Sequence, residues 1–305
     1  MDPKQAAERM AAANGGNKYS NDEFYYPKRD ENKTADVVIR FLPAKDEQDL
    51  PYVTTYSHFF KGDDGKWFIM DMCPTTFGED CAVCSVNSSL WSTERKEAQD
   101  LVRQRKRKKS YIFQILVEKD KEQPDRVGKV FPFKCGQQIF DKIMSALNPE
   151  FEDEAPKNPF DIMEGNSFNF RIKEDPTKKQ TTYEASKFAD KATAVFGGDI
   201  DKIKAMYESM VDLKEVYLKR DTHDAAFWNK KLASAYSKTL RENGLGLQTE
   251  DSDYAQPASK SKPRAEKKSV VDEPMEELGP EWGGPSTDAP GDDLQFFQDI
   301  LNGKE

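Results

Sequence analysis

His58, Cys73, Cys81 and Cys84 are the residues of this chain best suited to chemistry. They bring three of its four cysteines and one of its two histidines into a single stretch. Cys81-Ala-Val-Cys84 supplies two thiolates on one turn, a spacing that lets both sulfurs point at one ion. His58 and Cys73 flank a Gly-Lys-Trp-Phe-Ile run that reads as a strand. Four N/S donors with no open position describe a structural tetrahedral zinc site. A Cys-x-x-Cys pair alone could equally be a redox couple or two core thiols, but the third cysteine and the histidine favour a metal. A nucleobase deaminase would need His-x-Glu and Pro-Cys-x-x-Cys. Here Phe59 and Phe60 follow His58, and Asp80 precedes Cys81. Cys135 and His223 are spare and either could replace one of the four. Cys135 is expected to be a reduced core thiol.

The second chemical feature is a run of cations. Arg103, Arg105, Lys106, Arg107, Lys108 and Lys109 crowd together just after the cysteines. Their mutual repulsion disfavours such a run unless an anion neutralises it, and a phosphate backbone does so while releasing counterions. The usual alternative is a solvated helix face. This run, however, leads straight into Ser110, Tyr111 and an apolar strand. Phe68, Phe77, Trp91, Tyr111 and Phe133 lie close by in sequence. Exposed rings stack on the bases of single strands while cations follow the backbone. Some of these rings must be core, and the sequence does not sort them. No helix-turn-helix or finger-type recognition helix is apparent.

The elements that position these groups are read from periodicity. Strands are expected over Ala35–Leu42, Pro51–Phe60, Lys66–Met70, Ser110–Lys119, Lys129–Lys134 and Asn166–Lys173, with residues 179–185 able to pair with the last. Residues 61–65 form a hairpin turn. Ser85–Arg107 is helix-competent, Gly136–Leu147 has a helical period, and Ser186–Leu240 reads as helices. Six short strands, a capping helix and a metal-bound insertion suggest an α+β chain. Its core would be an OB-fold, a five-stranded Greek-key barrel. The remainder would be a structural-zinc subdomain over about 55–112 and helical additions. An Ala-rich arm (1–20) precedes a core of residues 21–248.

Beyond Thr249 prolines interrupt a polar stretch that cannot bury a core. The chain carries a net charge of -9, and from Ser269 onward ten acids face one base, Lys304. All of the net charge is therefore in residues 269–305, and the rest of the chain is neutral. An acidic average does not argue against a nucleic-acid-binding body. Leu294, Phe296, Phe297, Ile300 and Leu301 close the tail at helical spacing, as a partner-docking segment would. No apolar run approaches the ~18 residues of a membrane span, the N-terminus lacks a signal-peptide core, and sparse cysteines fit a reducing cytoplasm.

Several short motifs taken together resemble the gene 32 single-stranded DNA-binding (helix-destabilising) proteins of T-even-type bacteriophages. They are Val38-Ile39-Arg40-Phe41-Leu42-Pro43, Gly65-Lys66-Trp67, the His58/Cys73/Cys81/Cys84 set and Lys106-Arg107-Lys108-Lys109-Ser110-Tyr111. Gly128-Lys129-Val130-Phe131, Ile139-Phe140-Asp141-Lys142-Ile143 and Met210-Val211-Asp212-Leu213 continue it. The resemblance covers roughly residues 34–240, with the acidic tail in its expected place.

It implies an OB-fold core and one structural Zn2+ held by His58, Cys73, Cys81 and Cys84. It also implies a basic, aromatic-lined cleft that clamps single-stranded DNA. By position Arg40, Lys106, Arg107, Lys108, Tyr111 and Tyr183 correspond to DNA contacts, joined by Arg105 and Lys109 of the run. Phe68, Trp91 and Phe133 stand where the family has tyrosines. The family's basic-plus-hydroxyl motif is altered, with Lys109 in place of its first hydroxyl. The implied function is non-enzymatic, sequence-independent coating of single-stranded DNA in phage replication, recombination and repair, in the cytoplasm of an infected bacterium. Self-association along DNA would use the N-terminal arm, which here has only Lys4 and Arg9. Phage replication and recombination proteins would dock on the tail. The alternative is a zinc-containing RNA-binding protein or adaptor. A nuclease lacks the carboxylates it would need beside the metal.

Overall fold

The computed structural model of the chain describes residues 24–46, 48–151, 154–174, 181–220, 223 and 225–245. The 1–20 arm and the 249–305 tail, with Leu294, Phe296, Phe297, Ile300 and Leu301, lie outside the described residues. In chain order the strands are β1 (Ala35–Phe41), β2 (Tyr52–Lys61), β3 (Trp67–Met70), β4 (Lys108–Lys119), β5 (Val130–Cys135), β6 (Asn166–Glu174), β7 (Thr181–Thr182) and β8 (Lys187–Ala192). The α-helices are α1 (Ala82–Trp91), α2 (Lys96–Arg105), α3 (Gln137–Leu147), α4 (Ile200–Ser209), α5 (Leu213–Tyr217), α6 (Ala225–Ala235) and α7 (Ser237–Asn243). The chain is a mixed α+β protein. Its described residues divide into two compact units, one of residues 24–55 and 109–219, the other of 56–108 and 220–245.

In the first unit β1 lies between β4 and β6, antiparallel to both. β5 pairs with β4, and β7 and β8 pair with β6. Alternate residues of the strands converge on one core: Val37, Ile39 and Phe41; Tyr111, Phe113, Ile115 and Val117; Phe168, Phe170 and Ile172. α3 closes it with Ile139, Ile143 and Leu147, one face of a helix. β4 is buried on its other face too, where Ile112 meets Leu213 and Tyr217, and Leu116 meets Met206 and Met210. That double burial is why its sequence is an unbroken apolar run. Gln114, buried in that run, donates to the carbonyl of Val211 and accepts from its N–H, both at 2.8 Å.

Two sequence expectations are corrected. Residues 186–240 are not all helical, because Lys187–Ala192 is a strand paired with β6. Its Lys and Ala composition favours a helix locally, but pairing with β6 and the burial of Phe188 against Phe168 (ring centroids 4.8 Å apart) override it. The 85–107 helix is also two helices, broken where Glu94 takes a positive φ of 57°.

Arg40, expected at the DNA, is fully buried. Its Nη2 donates to the Thr193 carbonyl (2.7 Å) and hydroxyl (2.8 Å), and its Nε lies 3.5 Å from Glu118. Burial lowers its pKa, opposed chiefly by the Glu118 charge. Gly165 makes room for this cation. A Cβ there would sit 2.2 Å from the Asp161 carbonyl and 2.5 Å from Arg40 Nη1. Gly165→Ala should therefore destabilise the protein by about 1–3 kcal/mol, read as a lower denaturant midpoint.

The second unit is organised by the β2–β3 hairpin. Its turn carries Gly65 at φ 74°, a conformation that favours glycine, and Gly62 N–H donates to the Lys66 carbonyl. His58, Phe60, Phe68 and Met70 are buried on the inner face, while Phe59, Lys61, Trp67 and Ile69 are exposed. α1, α2, α6 and α7 complete the inner core through Val83, Val86, Leu90, Ala98, Leu232, Ala235, Tyr236 and Leu240.

Candidate metal centre and nucleic-acid interface

His58 stands on β2, and Cys73 follows β3. Cys81 is the N-cap of α1, and Cys84 lies in its first turn. The helix N-terminus favours thiolate charge there. All four donor atoms lie within 4.8 Å of one another. His58 Nε2 is 3.5 Å from the sulfurs of both Cys81 and Cys84, and the Cys73 and Cys84 sulfurs are 3.9 Å apart. A tetrahedral ion bonded at about 2.3 Å to sulfur and 2.0–2.1 Å to nitrogen would hold S···N near 3.6 Å and S···S near 3.8 Å. The residues therefore fit such an ion.

Charge points the same way. Burial works against a charged His58, yet its contacts with Cys73 and Cys81 push its pKa up to about 9. Neighbouring sulfurs drive the pKa of Cys73 down and that of Cys84 up. Protons alone leave these sulfurs competing for negative charge, and a cation removes the competition. Around the donors, the Cys73 N–H bonds the Tyr56 carbonyl at 2.7 Å and the Thr75 hydroxyl lies 3.1 Å from the Cys73 sulfur. Cys135, burial of which raises its pKa, belongs to the first unit's core. His223 stacks on Phe227. Neither spare residue joins the cluster.

The cationic run is not one surface. Arg105 is buried, a correction to its expected role. Its guanidinium pairs with Asp63 at 2.8 Å, donates to the Ala235 carbonyl, and lies over the rings of Tyr236 and Phe60. Asp63 also accepts from the Thr239 N–H and hydroxyl, and the Arg105 carbonyl accepts from Asn87, which in turn accepts from Tyr236. Burial works against the charged Asp63 carboxylate. Its bonds from Thr239 and Arg105 outweigh that and hold its pKa below the usual range.

Several of the other cations lie over rings. Arg103 is 5.2 Å from Trp91, Arg107 4.2 Å from Tyr56, and Lys108 5.5 Å from Phe59. Lys106 is half-buried, and burial followed by the Arg103 charge lowers its pKa. In the first unit Lys109 lies 5.1 Å from the Tyr111 ring.

The rings expected to stack on bases divide likewise. Trp91 is exposed. Tyr183 is half-buried and stacks on Phe170. Tyr111 is buried, stacked at 3.8 Å on Phe140, with its hydroxyl donating to Gln137. Phe68 and Phe133 are core residues, a correction. Phe68 faces inward against Phe60 at 4.8 Å, and Phe133 packs on Phe41 and Phe170. Phe59 and Trp67, exposed on the hairpin, were not anticipated as ligand contacts. The signal existed: if His58 faces inward as a ligand, strand alternation turns Phe59 outward.

A family described as "gp32 DNA binding protein like" matches residues 33–235. The chain is 34% identical over 219 residues to a single-stranded DNA-binding protein of Enterobacteria phage T4, covering 70% of each chain. It is 35% identical over 250 residues to that of Enterobacteria phage T2, covering 79% of each. A single-stranded DNA-binding protein of Escherichia phage SV14 is 36% identical over 100 residues, 30% of this chain and 87% of its own.

Two outcomes are expected from this geometry. Elemental analysis should find one metal ion per chain, lost in Cys81→Ser. Asp63→Asn leaves the Arg105 charge unpaired and should cost about 3–5 kcal/mol at neutral pH. Because the folded Asp63 pKa is depressed, its contribution is present above the unfolded value and lost as pH falls through the folded one. Melting curves of variant and wild type should therefore stay apart through the usual carboxylate range and converge only at lower pH, as the folded Asp63 is protonated.

Proposed function

The chain belongs to the gp32-like family of DNA-binding proteins, and from that premise we propose that it binds single-stranded DNA without sequence preference. The family is one of non-enzymatic binders. The observation that carries the reading is the series of cations set over aromatic rings in the 103–108 segment. Cations neutralise phosphates, and rings beside them accept bases of any sequence. Lys106, Arg107, Lys108 and Lys109 are the proposed phosphate contacts, with Trp91 and Tyr183 as ring contacts and Tyr111 carrying Lys109.

The ion is zinc in this reading. Three thiolates and an imidazole at tetrahedral spacing, with no water-bound position, suit a structural zinc. It closes the hairpin onto α1 and performs no reaction. An OB-type barrel is supported by β1 shared between β4 and β6, and by β5 on β4 with α3 following it. The 1–20 arm, the 21–248 core and the 249–305 tail are the proposed divisions. The arm would self-associate along DNA. The acidic tail would compete with DNA for the cations and, once displaced, offer Phe296, Phe297 and Leu301 to phage replication and recombination proteins inside the host cell.

Fluorescence titration with thymidine oligonucleotides across a salt series tests this. Each of Lys106→Ala and Lys109→Ala should flatten the log–log salt slope by about 0.7. Removing residues after 249 should tighten binding at low salt only. Chelation should lower both the melting temperature and the affinity. Tighter binding to RNA of equal length would transfer the function to RNA.

A further inference from the structure

The outer face of the β2–β3 hairpin carries a group of side chains that neither the core nor the metal uses. Phe59 is 42% exposed and Trp67 57%, and their rings are stacked with centroids 4.5 Å apart and planes 13° from parallel. Lys61 is directly cross-strand from Trp67, and Ile69 from Phe59, so all four project from one face. Lys108 Nζ lies 5.5 Å from the Phe59 centroid. The opposite face of the same residues is fixed by His58 at the metal and by Phe60 and Phe68 in the core. The two rings are thus held on a rigid ladder whose register the metal cluster pins from behind.

We infer that Phe59 and Trp67 form a two-ring base-stacking site of this chain, flanked by Lys61 and Lys108 as phosphate contacts. The assignment rests on the single-stranded DNA reading above and names a place where bases are taken. Several features select this occupant. The two rings already lie parallel, so a flat base added to Trp67 extends an existing stack. Phe59 is engaged by Trp67 and approached by Lys108, which leaves the more exposed indole as the outer platform. Both flanking side chains are cationic, and no acid lies on this face of the ladder among residues 58–61 and 67–70. Trp91 is a lesser platform, because Arg103 above it is paired with Asp100.

The test uses the full-length protein and two oligonucleotides of equal length, one of thymidines and one abasic. Phe59→Thr and Trp67→Ala should each bind the thymidine oligomer about 5- to 150-fold more weakly and bind the abasic one as wild type does. Trp67→Phe should keep most of the affinity while the quenching of tryptophan emission on DNA binding falls. Metal content and melting temperature equal to wild type establish that the variants are folded, and Trp67→Phe carries the test through its emission if Trp67→Ala fails there. Unchanged affinity of the folded variants for thymidines, or equal losses on both oligomers, overturns the site and leaves the rings to a protein partner. If wild type binds neither oligomer, the single-stranded DNA reading itself fails and this inference falls with it.

Discussion

The buried pair of Arg105 and Asp63 holds together the second unit, which carries the cluster of His58, Cys73, Cys81 and Cys84. Asp63 belongs to the hairpin turn, Arg105 ends α2, and Thr239, Asn87 and Tyr236 complete their bonds. The pair joins residues far apart in sequence that share no backbone pairing. A buried ion pair adds little over a well-packed apolar one, but it is strongly specific, because either member alone is a stranded charge. Here both oxygens of the carboxylate accept hydrogen bonds, from Arg105 and from the Thr239 N–H and hydroxyl, and two aromatic rings cover the guanidinium. That arrangement fixes where the hairpin turn meets α6 and α7, and so which hairpin face is solvent-facing.

The metal cluster and the hairpin then share one constraint. Strand alternation gives each residue one of two directions, and the ligand His58 settles the choice for the whole ladder. Inner residues become core and ligand, and outer ones become surface. Because the same backbone serves both faces, a shift of the outer rings would also move His58, the donor on this ladder. A loop carrying those rings would need no such agreement, and would hold them less firmly.

Much of this was legible in the sequence, and the exceptions have identifiable causes. The four donors were readable because metal-ligand spacing is a local property, and β4 because burial on both faces leaves a long apolar run. The turn at residues 61–65 was readable from its glycines. Arg40, Arg105, Phe68 and Phe133 were misplaced for one shared reason. A cation or a ring has the same letter whether buried or exposed, and only tertiary partners such as Thr193, Asp63, Phe60 or Phe41 distinguish the two. β8 was missed because Lys187–Ala192 has helix-forming composition, and its strand character comes from β6, which lies earlier in the chain. The Phe59–Trp67 pair needed only the alternation argument carried one residue past the histidine.

The unit that carries the four-donor cluster is discontinuous, and that has a consequence for how it comes into being. All four donors lie between His58 and Cys84, whereas the side chains that wall the inner core, Leu232, Tyr236 and Leu240, come from the far end of the described chain. During synthesis the donors emerge long before α6 and α7 exist. An ion captured at that stage closes a short local loop at low entropic cost. It would also occupy sulfurs that otherwise wait, solvent-exposed, for their cover. An ion held there would be a placeholder for tertiary structure not yet made, and the late helices would seal a fold whose geometry was already set.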